Sequence, residues 1–230
     1  MNINKKNKNR YRQFRIRYAL RYVRIRRAIE AGNLKVLKKI KFNQDLMDES
    51  LNNMDVALTT AAYFGSLEIV KYLVSLGASP HHRFCLCLSA MKNNRKNTET
   101  FSYLLSVGVK ATTSELNEPL ISASRCGNLD IVKICIEQGC DISFRNYRAL
   151  GEAGEQDQVE VLEYFATKVL TPEYLEQWGI YGRRPLGYQS RLWWEVNKDT
   201  IVQRRKTIAL YDSIQSKCQD KTVSKPRLKI

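Results

Sequence analysis

The sequence predicts an all-α solenoid of about five helix-turn-helix units with helical extensions at both ends. Three observations predict it. The string AAYFGSLEIVKYLVSLGAS, Ala61 to Ser79, returns as ASRCGNLDIVKICIEQGCD, Ala123 to Asp141, a constant 62 positions on. Looser copies lie between and beside these two, at steps of 28 to 33 residues. Within each copy the apolar residues recur at helical spacing rather than alternating as they would in a strand.

The first 27 residues form a basic arm and capping helix. Residues 2–9 are polar, basic and Asn-rich, which suits a disordered tip. Phe14, Tyr18, Tyr22, Ile25 and Ile29 then recur at steps of 4, 4, 3 and 4, one helical stripe whose simplest use is burial against the first repeat. Ile16, Leu20 and Val23 make a second, narrower stripe, and Arg10, Arg12, Arg15, Arg17, Arg21, Arg24, Arg26 and Arg27 surround both.

Five units follow over 28–168, near 28–53, 54–82, 83–115, 116–145 and 146–168. In the first, Gly32 of AIEAGNLKVLKKI stands 33 residues before Gly65. In the third, Leu86, Ser89 and Ala90 follow Leu58, Ala61 and Ala62 by 28, whereas Leu105 and Gly108 follow Val74 and Gly77 by 31. Three extra residues therefore fall near Asn94 to Thr98, where a helix-to-helix turn absorbs them at little entropic cost. In the fifth, Leu150, Ala153, Val159, Val161, Leu162 and Phe165 answer the fourth unit at an offset of 30. Each first helix carries small residues, as at Ala61 and Ala62 or Ala123 and Ser124, where neighbours stack closely. Each second helix carries an apolar face such as Leu67, Val70, Leu73 and Val74, and Gly77, Gly108 and Gly139 end it.

This pattern resembles the ankyrin repeat family. One copy matches it at Pro119, Leu120, Ala123, Gly127, Asp130, Ile131, Val132, Gly139 and Asp141, another at Leu58, Ala61, Ala62, Gly65, Glu68, Ile69, Val70, Leu73, Gly77 and Ala78. Where the family has a histidine that bonds between units, this chain has Thr59, Cys87 and Ile121, which implies less rigid hairpin tips. The fifth copy departs furthest, with Gly154 and Asp157 in place of a small residue and a glycine. Degenerate repeats with unusual flanks are similar to those of ankyrin proteins of large DNA viruses or of bacterial effectors. The resemblance implies a non-enzymatic protein-interaction module whose partner lies along the concave side. There it points to Thr60, Tyr63 and Phe64, to Leu88, Met91 and Lys92, and to Ser122, Arg125 and Cys126. At the tips it points to Ser79, Pro80, His81, His82, Val109, Lys110, Asp141 and Ser143.

Charge is unevenly spread. Residues 1–41 hold 15 Lys and Arg against Glu30 alone, net +14. Residues 42–170 hold 11 against 16, net −5, and 171–230 hold 12 against 6, net +6. The basic arm supports three uses: a solubilising cap for the open end of the stack, a nuclear-import or nucleic-acid arm, or a membrane-surface or transit segment. Absence of serine weakens the last. No uncharged apolar run reaches membrane-spanning length, and six cysteines without a Cys-x-x-Cys pair suit reduced thiols in the cytoplasm or nucleus, of a host cell if the protein is viral. A monomer is expected, with a protein partner and with nucleic acid as the alternative.

After Leu170, Thr171 and Pro172 open a short helix through Trp178, and a loop runs from Gly179 to Ser190. Trp193, Val196, Ile201, Ile208, Tyr211 and Ile214 then share one face of a helix to about Lys217, interrupted by Arg204, Arg205 and Lys206. It serves either as the far cap or as a docking helix. The tail from Gln219 is basic.

Catalytic chemistry finds no footing. There is no Gly-rich phosphate loop and no nucleophile elbow. His81 and His82 with Cys85 and Cys87 are too compressed for a zinc finger and read as a hairpin tip, so neither metal nor cofactor is expected. Glu152, Glu155, Asp157, Glu160 and Glu163 read as a solvated helix face.

Overall fold

The computed structural model describes residues 20, 22–40, 53–80, 84–107, 113–174 and 187–223. Among the described residues the regular elements are helical. They come in pairs: α1 (22–30) with α2 (Leu34–Lys38), α3 (Asn53–Phe64) with α4 (Leu67–Ser75), α5 (Phe84–Ser89) with α6 (Arg95–Ser106), α7 (Thr113–Cys126) with α8 (Leu129–Glu137), and α9 (Phe144–Glu155) with α10 (Val159–Tyr164). A π-helical turn, Phe165–Val169, extends α10, and a long helix, α11 (Tyr188–Val223), follows. From α3 onward, first helices pack on first helices and second on second, which is the two-layer stack of a solenoid.

Small side chains set the spacing of the first layer. Ala61 with Ala62, Ser89 with Ala90, Ala123 with Ser124 and Ala153 with Gly154 are all buried, so backbones approach closely there. Apolar residues of the second layer, Ile69, Val70 and Leu73 in α4 and Ile131, Val132 and Cys135 in α8, complete a core continuous from Ile25 to Ile201. Burying each large aliphatic side chain stabilises the stack by about 1.5–3 kcal/mol.

A polar ladder joins successive pairs at the turn between first and second helix. The Ser66 hydroxyl donates to the Ile29 carbonyl at 3.1 Å, and Asn128 Nδ2 donates to the Lys92 carbonyl at 2.9 Å. Between them Asn97, fully buried, places its Nδ2 3.0 Å from the Ser89 carbonyl and 3.1 Å from that of Tyr63. Gly65 precedes this ladder with φ +65°, and a Cβ there would lie 2.8 Å from Asn97 Oδ1. Glycine thus serves both the left-handed turn and the close approach of the next pair.

Several expectations are corrected. The three extra residues of the third copy do not loosen a turn: Asn94 caps α6, accepting from Asn97 N at 3.0 Å, and α6 has 12 residues where α4 and α8 have 9. The insertion is one more helical turn. Helix α7 starts at Thr113 and carries Pro119 in its interior. Before the regular part of α9, Arg145, Asn146 and Tyr147 all have left-handed backbone, φ 50°, 57° and 56°.

The hairpin tips are tied down although the family's histidine is missing. The Ser79 N–H donates to Asp55 Oδ1 at 3.0 Å, and the Asp141 N–H donates to Asn117 Oδ1 at 3.1 Å. Donors and acceptors both repeat at 62 positions, so the polar residue moved one helical turn upstream of Thr59 and Ile121.

At the far end, α11 begins at Tyr188, inside the expected loop, and runs past Lys217 to Val223. Its covered side is Ser190, Trp194 and Ile201; of the predicted stripe Ile201 is buried and Trp193 packs partly against the core, whereas Val196 is 79 % exposed and Ile208, Tyr211 and Ile214 are exposed too. The reason is where its start is fixed. Asp157, left-handed at φ 55°, occupies the position held by Gly65 and Gly127 earlier in the stack. Its carboxylate accepts from Ser190 N at 2.8 Å, while Gly187 N donates to the Gly154 carbonyl at 2.8 Å. Arg205, expected only to interrupt a stripe, donates from Nη2 (2.6 Å) and Nε (3.1 Å) to the Leu170 carbonyl and closes the end of the π turn. Thr171 behaves as predicted, its hydroxyl accepting from Tyr174 N at 3.3 Å. Among the described residues no helix is long and apolar enough to cross a membrane.

Candidate protein-binding face

The exposed side of the first-helix layer presents side chains from consecutive helices. At the C-terminal end of α3, Tyr63 and Phe64 meet edge to face with ring centroids 5.2 Å apart. Lys92, in the turn after α5, places its ammonium 4.3 Å from the Tyr63 centroid and 4.5 Å from that of Phe64. A cation above two ring faces gains about 0.5–2 kcal/mol, depending on how dry the site is. All three side chains remain half-buried, as does Met91. They form a presented cluster, not a core.

One helix further on, Arg125 donates through Nε to Glu152 Oε2 at 2.7 Å, and Arg148 pairs with Glu152 Oε1. The expected solvated acidic face is corrected at Glu152, whose side chain is only 4 % exposed. The hydrogen bond from Arg125 holds this carboxyl below the usual range; burial opposes the shift and the charges of Arg125 and Arg148 reinforce it. Two guanidiniums thus share one carboxylate, and Arg125 remains exposed on the face. Asp157 also leaves the solvated set, as the cap of α11, whereas Glu160 and Glu163 are exposed.

The other predicted positions divide. Ser122, Leu88 and Cys126 are half-buried on the same layer. Thr60 spends its hydroxyl on the Val56 carbonyl of its own helix, 2.7 Å away. Asp141 is a tip residue whose Oδ1 accepts from the N–H and hydroxyl of Ser143 at 2.8 and 2.6 Å, so its role here is to shape the turn. His81, His82, Val109 and Lys110 lie outside the described residues, as do Arg10, Arg12, Arg15, Arg17 and Arg21. Arg24, Arg26 and Arg27 are exposed on α1; of the predicted stripe Ile25 and Ile29 are buried, Tyr22 is exposed, and Phe14 and Tyr18 lie outside the described residues.

Sequence reasoning missed Arg148 and assigned Glu152 the wrong environment. The available signal was the i, i+4 spacing of the two residues, which on its own fits a solvated pair equally well. Among the thiols, burial pushes Cys85 up to about 12 and Cys87 to about 11. Cys135 is raised by its hydrogen bond to Cys140, whose own thiol is correspondingly lowered.

Paired helices stacked in two layers, joined by a polar ladder and ended by glycine caps, define a helical-repeat protein. The ankyrin repeat family model matches residues 54–83 and 116–147, which span α3 with α4 and α7 with α8. The chain carries ankyrin repeats at these two positions, and ankyrin repeats are in general modules for protein–protein interaction.

Proposed function

We propose that this chain is a non-enzymatic interaction module that holds a protein partner against its first-helix face. The observation that carries this reading is the cluster of Tyr63, Phe64 and Lys92, followed one helix on by Arg125. Aromatic and arginine side chains, half-exposed and pre-positioned by their neighbours, are the groups that anchor protein interfaces. Their order is already fixed by intramolecular contacts, so little side-chain entropy is lost on binding. Phe64 packs against the core with part of its side chain, while the stacking of the helices is carried by Ala61, Ala62 and Ala123.

Affinity capture with the full chain, under nuclease treatment, followed by mass spectrometry identifies the partner. Y63A/F64A with R125A is expected to weaken capture of that partner at least tenfold while leaving the helical circular dichroism unchanged. Undiminished capture by this variant would refute the assignment of the face.

A further inference from the structure

We infer that the exposed surface of α1 and α2 binds the phosphate backbone of a nucleic acid, a function separate from the protein-binding face. The argument begins with how charge is balanced along the stack. Within the repeats and α11, six of the described cations meet acids, Lys71 with Glu68, Arg95 with Glu99, Arg145 with Glu118, Lys198 with Glu195, and Arg125 and Arg148 with Glu152, while Lys92 and Lys133 lie over rings and Arg205 bonds a carbonyl. The first pair is different. Arg24, Arg26 and Arg27 on α1 and Lys35, Lys38 and Lys39 on and after α2 are exposed, and among the described residues none of them is ion-paired with a carboxylate. Glu30 is the acid of this pair of helices. Lys38 instead lies 5.6 Å from the Tyr72 ring centroid.

Helix geometry spreads these cations over the whole free surface. Ile25, Ala28 and Ile29 take the buried side of α1. At about 100° per residue, Arg26, Arg27 and Arg24 then occupy the three remaining sectors in turn. So dense an uncompensated charge repels itself, and a polymer of phosphates relieves that repulsion while releasing its own condensed counterions. Tyr22, also exposed, adds a ring able to stack on a base. A bilayer surface fits less well. Leu20 and Val23 are exposed neighbours, but the next step of the same helical row is Arg27, so the apolar strip ends after these two side chains and offers little to enter the acyl boundary.

The test is fluorescence anisotropy of the full chain with labelled oligonucleotides of about 20 bases, single-stranded RNA, single-stranded DNA and duplex DNA, at about 50 and 200 mM KCl. Binding is expected at the lower salt and is expected to fall steeply at the higher. R24E/R26E/R27E should weaken it at least tenfold and flatten the dependence of log K on log salt by about 2 to 3. All three side chains are exposed, so circular dichroism should not change; if it does, K35Q/K38Q/K39Q must give the same direction in both readouts. Y63A/F64A should leave oligonucleotide binding intact. Three results would overturn the inference: no binding by the unmodified chain at the lower salt, binding that survives the cap variants, or retention on phosphatidylserine vesicles without binding to any oligonucleotide.

Discussion

Replacing Asn97 by alanine should be among the most destabilising single changes outside the apolar core. Asn97 is fully buried, and its one amide nitrogen faces three carbonyls: Ser89 at 3.0 Å, Tyr63 at 3.1 Å and Ala62 at 3.3 Å. That nitrogen carries two protons, so it satisfies two of them fully at a time. The Ala62 carbonyl also accepts from Gly65 N at 3.1 Å and keeps a partner when the amide is lost. The Tyr63 and Ser89 carbonyls lose theirs. At about 1–3 kcal/mol for a buried group left unpaired, and somewhat less for the part-buried Tyr63 carbonyl, Asn97→Ala should cost about 2–5 kcal/mol. Asn94→Ala, which removes only an exposed helix cap, should cost about 1 kcal/mol. Urea unfolding of the full chain followed by circular dichroism measures both. Asn97→Asp should be worse than alanine, because a carboxylate would face three carbonyl oxygens in the dry interior. If Asn97→Ala costs no more than Asn94→Ala, or if the aspartate variant is as stable as the unmodified chain, the ladder does not bind one repeat to the next.

Two further predictions concern the far half of the stack. Glu152→Gln should destabilise the fold by about 1–3 kcal/mol near neutral pH, the half-exposed Arg125 keeping the figure modest. Because the folded carboxyl is held low, its contribution is present above the unfolded value of about 4.3 and is lost as pH falls through the folded value. The gap between variant and parent should therefore close on acidification below about pH 4, and a gap independent of pH would refute the assignment. At the junction with α11, Gly187→Ala would drive a Cβ into the Asp157 carboxylate, and Arg205→Ala would strip the Leu170 carbonyl of its donor. Each should shift tryptophan emission to the red by exposing Trp194, now 3 % exposed; unchanged emission would show that neither contact holds the helix.

The chain's own repetition made most of the fold legible. Residues such as Ala61 and Ala123, Val70 and Val132, or Gly77 and Gly139 do the same local work in each copy, and local work shows as period and residue type. The proposed binding face was legible in part, because the family resemblance placed Tyr63, Phe64, Met91, Lys92 and Arg125 on one layer. What register could not supply was pairing. Lys92 lies above rings contributed by the preceding pair, and Glu152 is buried by an arginine from another helix.

The ends illustrate the same division. On α1 the buried residues Ile25 and Ile29 followed directly from helical spacing, since the helix has one neighbour and one side to hide. On α11 spacing was right for Ile201 and wrong for Val196, because several apolar residues compete for burial and contacts remote in sequence choose among them. Asp157 and Gly154 fix where the helix starts, Arg205 fixes a point further along, and the side that then faces the stack is that of Trp194 and Ile201. By itself the sequence determined the two-layer helical repeat and the segregation of charge into its flanks, because both are sums over local residues. Tertiary structure alone decided the polar ladder through Asn97, the shared carboxylate of Glu152 and the seating of α11, because each depends on distances between residues far apart in the chain.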